Sequence, residues 1–193
     1  NRPRPAPAVV RAVSTTLRRG RRSTTCSVAL TDEAGAEVAS AAIGFTTVAR
    51  RDGDPPKPVI SPESANELLG GVAGRTLSLP LREEAGIESV DPAAGVVQVE
   101  VTGELRNPAG TLQGAMVALV AEAAAEDLLA HRTGRPVVVT DLDLRYLAQT
   151  TAGPVRTSAR GLGDHPGAAV EVLLTDVSTG TVTTHAYARG HLH

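Results

Sequence analysis

A carboxylate set in an apolar run is the first sign of chemistry in this chain. From Leu112 to Ala125 every residue is apolar, glycine or glutamine except Glu122, so a helix through this stretch is buried on nearly all sides. Carboxylates are rarely buried unless paired, because burial disfavours the charged form and raises the pKa. A raised pKa suits a general acid or base at neutral pH. The same helix is entered through a polar turn, Asn107 to Gly114, whose residues suit the opposite task of stabilising negative charge. A helix beginning near Leu112 or Gly114 offers free backbone N–H groups and the positive end of its dipole. Gly114 has no Cβ and lets a substrate carbonyl come close, and Asn107 carries a side-chain amide as a second donor. Together they would form an oxyanion hole, commonly a large contribution to acyl-transfer catalysis.

The spacing sets a condition on this pair. Eight residues separate Gly114 from Glu122, which on a helix is about 12 Å along the axis and about 80° around it. The two cannot meet at one reacting carbon. The expectation is a shared site, in which Asn107 and Gly114 of one module face the acidic residue of a second. The competing structural role for Glu122 is a core carboxylate paired with Arg145 or with another helix.

The elements that position these residues follow from pattern. Alternating apolar residues at 97–105 read as a strand. The helix follows and is broken by Thr133, Gly134 and Pro136. A strand over 137–147 puts Leu142, Leu144 and Tyr146 on one side and Asp141, Asp143 and Arg145 on the other. Three more antiparallel strands then finish the chain. Strand, long helix, then four strands predicts an antiparallel sheet wrapped around one helix, an α+β fold.

A weak internal repeat at an offset of 144 residues places residues 24–32 on 168–176, sharing V-x-L-T-D, with Val38 on Val182 and Ala42 on Ala186. Each copy reads as a β-hairpin with a further strand upstream, at 9–17 and 155–160. The counterparts of Asn107 and Glu122 would fall before residue 1, so the first copy is expected to lack its helix and first strand. The expected organisation is therefore the strand half of a first repeat at 1–51, a linker with a short helix at 52–79, and a complete second repeat at 80–193. Within the linker, residues 51–58 are polar and proline-rich, and 61–70 reads as a helix with Ser61 as N-cap and Pro62 in its first turn.

Composition narrows the function classes. Nineteen Lys and Arg against 21 Asp and Glu leave a net charge of −2, unlike a dedicated nucleic-acid or membrane-surface binder. The single Cys26 excludes an internal disulfide and a cysteine zinc site, and suits a reducing cytoplasm. The basic turn around Arg18, Arg19, Arg21 and Arg22 reads as a solvated hairpin end, with phosphate groups as the alternative ligand. His131 suits the dipole at a helix C-terminus, and His165, His191 and His193 read as surface residues.

The pattern N-x-x-G-x-x-Q-G-(x)7-E at 107–122, with T-D-L-x-L-x-Y-L at 140–147 and G-P-V at 153–155, resembles the hot-dog-fold acyl-CoA thioesterases of the phenylacetate-pathway and 4-hydroxybenzoyl-CoA types. The resemblance spans about residues 80–190, and 8–50 as part of a first hot dog, so the whole is similar to a double hot dog with a truncated first copy. It implies a thioester hydrolase with Glu122 as the catalytic carboxylate, either base on water or nucleophile on the thioester carbonyl, Gly114 as the carbonyl-polarising glycine and Asn107 as its polar companion. Gln113 takes the place of a common histidine, and Thr140 lies near where some members orient water. It also implies an acyl-CoA substrate, with coenzyme A present only as part of it, no metal or redox cofactor, no nucleic-acid or membrane partner, a cytoplasmic location, and a homo-oligomer or pseudo-dimer of hot-dog modules. The rival functions are a non-catalytic acyl-CoA or acyl-chain binding protein and a hot-dog dehydratase, whose histidine this helix lacks. With three aromatic residues in the chain, an aliphatic acyl group is the weakly preferred substrate.

Overall fold

The computed structural model of the protein describes residues 9–47, 49, 61, 63, 64, 66, 67, 77–163 and 168–192. The chain divides into two compact units, Asn1–Pro58 and Val59–His193. The proline-rich stretch 51–58, His165 and His193 lie outside the described residues.

In the first unit, β1 (Arg11–Arg19), β2 (Ser23–Thr31) and β3 (Glu37–Thr46) pair antiparallel in that order. The turn between β2 and β3 is held by Asp32, whose carboxylate accepts from the N–H groups of Ala34 and Ala36 at 3.0 and 2.8 Å. Every residue of β1 and β3 is exposed, and the described residues of this unit include no helix.

The second unit begins with helical residues around 63–67, where Ser61 Oγ accepts from the N–H of Ser64 at 3.1 Å as an N-cap does. A one-turn helix α1 (Leu81–Glu84) leads into β4 (Glu88–Asp91), a short 3₁₀ turn and β5 (Val96–Val99). The long helix α2 (Gly114–Thr133) follows, then β6 (Val137–Tyr146), β7 (Val155–Gly161), β8 (Val170–Asp176) and β9 (Thr181–Leu192). The six strands form one antiparallel sheet in the order β4-β5-β7-β8-β9-β6. This long helix against a large antiparallel sheet is the α+β architecture expected from the pattern.

Two elements differ from the sequence reading. The strand expected at 97–105 stops at Val99, and Gly103–Leu105 forms a 3₁₀ turn before the chain reaches Asn107. Val97, Val99 and Val101 are buried all the same, so the alternation reports burial beyond the point where strand pairing ends. Strand β4 was not expected. Its four residues are all exposed and carry no alternating apolar pattern.

The contact between the sheet and α2 is made of alanine, valine and leucine side chains. On the helix, Val117, Val120, Ala121, Ala123, Ala124, Ala125, Leu128 and Leu129 are buried. The sheet meets them with Val97, Val155, Val170, Val172, Leu174, Ala186 and Ala188, all at most 1% exposed. Alanines allow the helix axis to approach closely. At Gly95, whose φ is +57°, an added Cβ would lie 2.6 Å from Ala159 Cβ and 2.9 Å from the Ala124 carbonyl oxygen. The helix ends where the pattern placed its break, with Gly134 in the left-handed region at φ 66°.

The repeat appears in the strand registers. The cross-strand sets Ala12, Leu30, Ala39 and Ser14, Val28, Ala41 and Thr16, Cys26, Ile43 of the first unit match Thr157, Leu174, Thr184 and Ala159, Val172, Ala186 and Gly161, Val170, Ala188 of the second. A bulge follows Leu30 in one and Leu174 in the other. The turn after β8 is one residue longer than that after β2, so Glu37 corresponds to Val182 and Ala41 to Ala186, where the constant offset had assigned Val38 and Ala42. Cys26 thus stands at the position of the buried Val170 and is itself half-buried.

Candidate active site

The turn that precedes α2 is built around Asn107. Its Oδ1 accepts from the N–H groups of Ala109 (2.9 Å) and Thr111 (3.3 Å), and its Nδ2 donates to Thr111 Oγ1 at 2.8 Å. Gly110, at φ 77°, donates its N–H back to the Asn107 carbonyl. The sequence reading expected the amide of Asn107 to donate to a substrate. The structure commits one of its N–H bonds to Thr111 and gives the residue a shaping role in the turn.

From this turn the chain enters the helix with its donors sorted. The N–H of Leu112 bonds the Thr150 carbonyl and that of Gln113 bonds the Leu105 carbonyl, both at 2.9 Å. The first helical bond runs from Val117 N–H to the Gln113 carbonyl. The N–H groups of Gly114, Ala115 and Met116 lie between these and have no intrahelical partner. Gln113 is the N-cap residue, but its exposed side chain makes no capping bond. Tyr146, at the end of β6, donates its hydroxyl to the Gly114 carbonyl at 3.1 Å, and a Cβ on Gly114 would lie 3.3 Å from that oxygen. Burial pushes the Tyr146 phenol upward in pKa and keeps it a donor.

A cleft of about 280 Å³ opens here, lined by Asn107, Thr111, Leu112, Gly114, Val117, Tyr146, Ala148, Gln149, Thr150 and Thr184. The strand end, the helix start, the loop after β6 and the middle of β9 converge on it. Asn107 and Gly114, paired in the sequence reading, share this cleft. Tyr146, Thr150 and Thr184 were not singled out from sequence.

Glu122 is not among the lining residues. It lies two turns further along α2, half-buried, and makes no hydrogen bond or ion pair among the described residues. Burial raises its pKa, and the neighbouring Glu126 carboxylate raises it further. Glu126 is engaged: its Oε1 accepts from the Val139 N–H at 3.0 Å, next to the bulge that interrupts β6 at Thr140. Arg145, the alternative partner for Glu122, bonds Asp143 instead. Thr140 is exposed and its hydroxyl donates to Asp141 at 3.0 Å, away from the cleft.

The acidic residue that follows, Asp127, has a structural task. Arg82 donates to both of its oxygens at 2.8 and 2.7 Å and Ser89 to one of them, which ties α1 and β4 to the long helix. Burial would raise the Asp127 pKa, but the bonds from Arg82 and Ser89 outweigh it and hold the value below normal. The three acids of this helix thus divide by environment: one paired, one bonded to backbone, and one without a partner among the described residues.

Among the described residues no three or more His, Cys, Asp or Glu side chains are grouped to hold a metal ion, and no helix is long and apolar enough to cross a membrane. No protein-family profile and no curated protein matches the chain. Solved structures do. A protein of the thioesterase superfamily aligns with a TM-score of 0.54 at 20% identity, over 60% of this chain and 90% of its own. A Bacillus halodurans protein solved with CoA aligns at 0.53 and 17% identity, over 67% and 85%. A mutant thioesterase from Staphylococcus aureus aligns at 0.53 and 15% identity, over 58% and 97%. The long helix held in a six-stranded antiparallel sheet is therefore a hot-dog fold, shared with these solved structures.

Proposed function

We propose that this protein is an acyl-CoA thioesterase, with the Gly114 N–H as oxyanion donor and Glu122 as the catalytic carboxylate. The observation that carries the reading is the junction of turn and helix: among the described residues the Gly114 N–H has no partner and Gly114 lines a cleft, and the same helix carries a carboxylate, unpaired among those residues, with a raised pKa. Because Glu122 lies outside that cleft, the complete site needs a second hot-dog module, which supplies the carboxylate facing Gly114. Such an assembly, of two copies of the chain, is part of the proposal.

In the proposed reaction Glu122 takes a proton from water as the water oxygen bonds to the thioester carbonyl carbon. The carbonyl oxygen becomes an oxyanion and accepts the Gly114 N–H, at the positive end of the helix dipole. The tetrahedral intermediate then collapses, the C–S bond breaks, and the thiolate of coenzyme A leaves with the proton held by Glu122. No metal or redox group enters this sequence, and coenzyme A takes part only as the leaving group. The CoA bound in the Bacillus halodurans structure supports a ligand of this chemistry.

The absence of Glu122 from the cleft also favours a second reading, a module that binds acyl-CoA without hydrolysing it. Glu122→Gln separates them. Loss of thioester hydrolysis with acyl-CoA affinity retained supports the enzyme, and hydrolysis unchanged in the variant overturns the role of Glu122.

A further inference from the structure

Five threonines of the second unit are buried to 6% exposure or less: Thr111, Thr150, Thr157, Thr183 and Thr184. Three have their hydroxyls satisfied within the protein. Thr111 accepts from Asn107, Thr157 donates to the Gly95 carbonyl at 2.8 Å, and Thr183 donates to the Leu174 carbonyl at 3.3 Å. The hydroxyls of Thr150 and Thr184, 5% and 1% exposed, bond to no group among the described residues. Both line the cleft beside Gly114.

Buried polar groups are nearly always paired, since an unpaired one forfeits its bonds to water. No fully enclosed side-chain nitrogen or oxygen in the described residues lacks a partner, so these two hydroxyl oxygens keep a small exposure, and the cleft that both residues line provides it. Tyr146 and Gln149 add polar groups to the same wall. Among the described residues no lysine, arginine, histidine or acid lines it, which suits a neutral oxygen better than a carboxylate or phosphate. Its 280 Å³ lies at the small end of ligand sites, which run from roughly 300 to 1,000 Å³, and suits a short chain.

We infer that the cleft selects a short acyl group carrying a neutral hydroxyl or oxo oxygen, which bonds the hydroxyls of Thr150 and Thr184 while the thioester carbonyl lies at Gly114. This narrows the aliphatic preference drawn from composition to a short, oxygen-bearing aliphatic group. It rests on reading the cleft as the acyl site of the proposed thioesterase.

The test compares 3-hydroxybutyryl-CoA with butyryl-CoA on the full chain, by calorimetric affinity and by kcat/KM. The native protein is expected to favour the hydroxylated compound about 10-fold or more. Thr184→Val and Thr150→Val are each expected to bring that ratio close to one, and Thr184→Ser to keep it. Equal affinity for the two compounds in the native protein overturns the inference. So does a fall in both compounds at a constant ratio, which would place the hydroxyls against the pantetheine arm. Selective binding without hydrolysis supports the selectivity while overturning the thioesterase reading, and hydrolysis without selectivity does the reverse.

Discussion

At the scale of single residues, Glu122 and Gly114 carry the chemistry and are open to separate tests. If Glu122 is the base, Glu122→Gln is expected to lower kcat/KM by about 10²- to 10⁴-fold, and the native rate is expected to rise with pH through the raised pKa of this carboxyl. The same shift has a sign for stability. The folded state holds the Glu122 proton more tightly than the unfolded chain, whose value is about 4.3. Its contribution is therefore present below that pH and lost as pH rises through the folded value. Glu122→Gln removes this loss, so the Tm of the variant relative to the native protein is expected to climb between acid and neutral pH in thermal melts. For the oxyanion donor, Gly114→Pro removes the N–H while leaving a residue favoured at the first helical position. Gln113 already has the extended backbone that precedes proline, with φ −64° and ψ 140°. The expected result is kcat reduced about 10²- to 10³-fold with the far-ultraviolet spectrum of the native protein. A fully active Gly114→Pro enzyme would exclude this N–H from the mechanism.

Among the elements, α2 was the easiest to read and β4 the hardest. The helix has a run of apolar residues, a glycine stop and no competing strand signal. Strand β4 has four exposed residues and owes its conformation to pairing with β5 and to the ties from Arg82 through Asp127 and Ser89. Asp127→Asn is expected to cost about 1–2 kcal/mol at neutral pH, discounted for the partial exposure of Arg82. Asp127 titrates below its unfolded value of about 3.9, so its contribution is present above that pH and is lost as pH falls through the folded value. Denaturant melts should show the difference between native protein and variant shrinking below about pH 4. Within the core, Leu174→Ala deletes a fully buried side chain between sheet and helix and is expected to cost about 2–5 kcal/mol, measured in the same melts.

For the whole molecule, the proposed mechanism predicts complementation. Glu122→Gln and Gly114→Pro chains, each inactive alone, are expected to regain activity when refolded together, because a mixed pair contains one site with both native groups. With two copies per assembly and random mixing the regained activity is about one quarter of native. A mixture as inactive as its parts would mean that each module works with its own residues or not at all.

Much of this molecule follows from local pattern alone. The helix and its stop, the hairpins and their repeat, and the anionic demand of Glu122 beside a donor-rich turn are written in spacings of a few residues, because periodicity and turn chemistry are short-range. The helix rise alone separates Glu122 from Gly114, and the structure has them apart. The cleft was decided only by the fold. Tyr146, Thr150 and Thr184 come from a strand end, a loop and another strand, and although Tyr146 stands in the 140–147 motif, nothing local marks the three as one site. They become a site because the sheet's register brings Thr150 and Thr184 beside the helix start, where no group among the described residues bonds their hydroxyls.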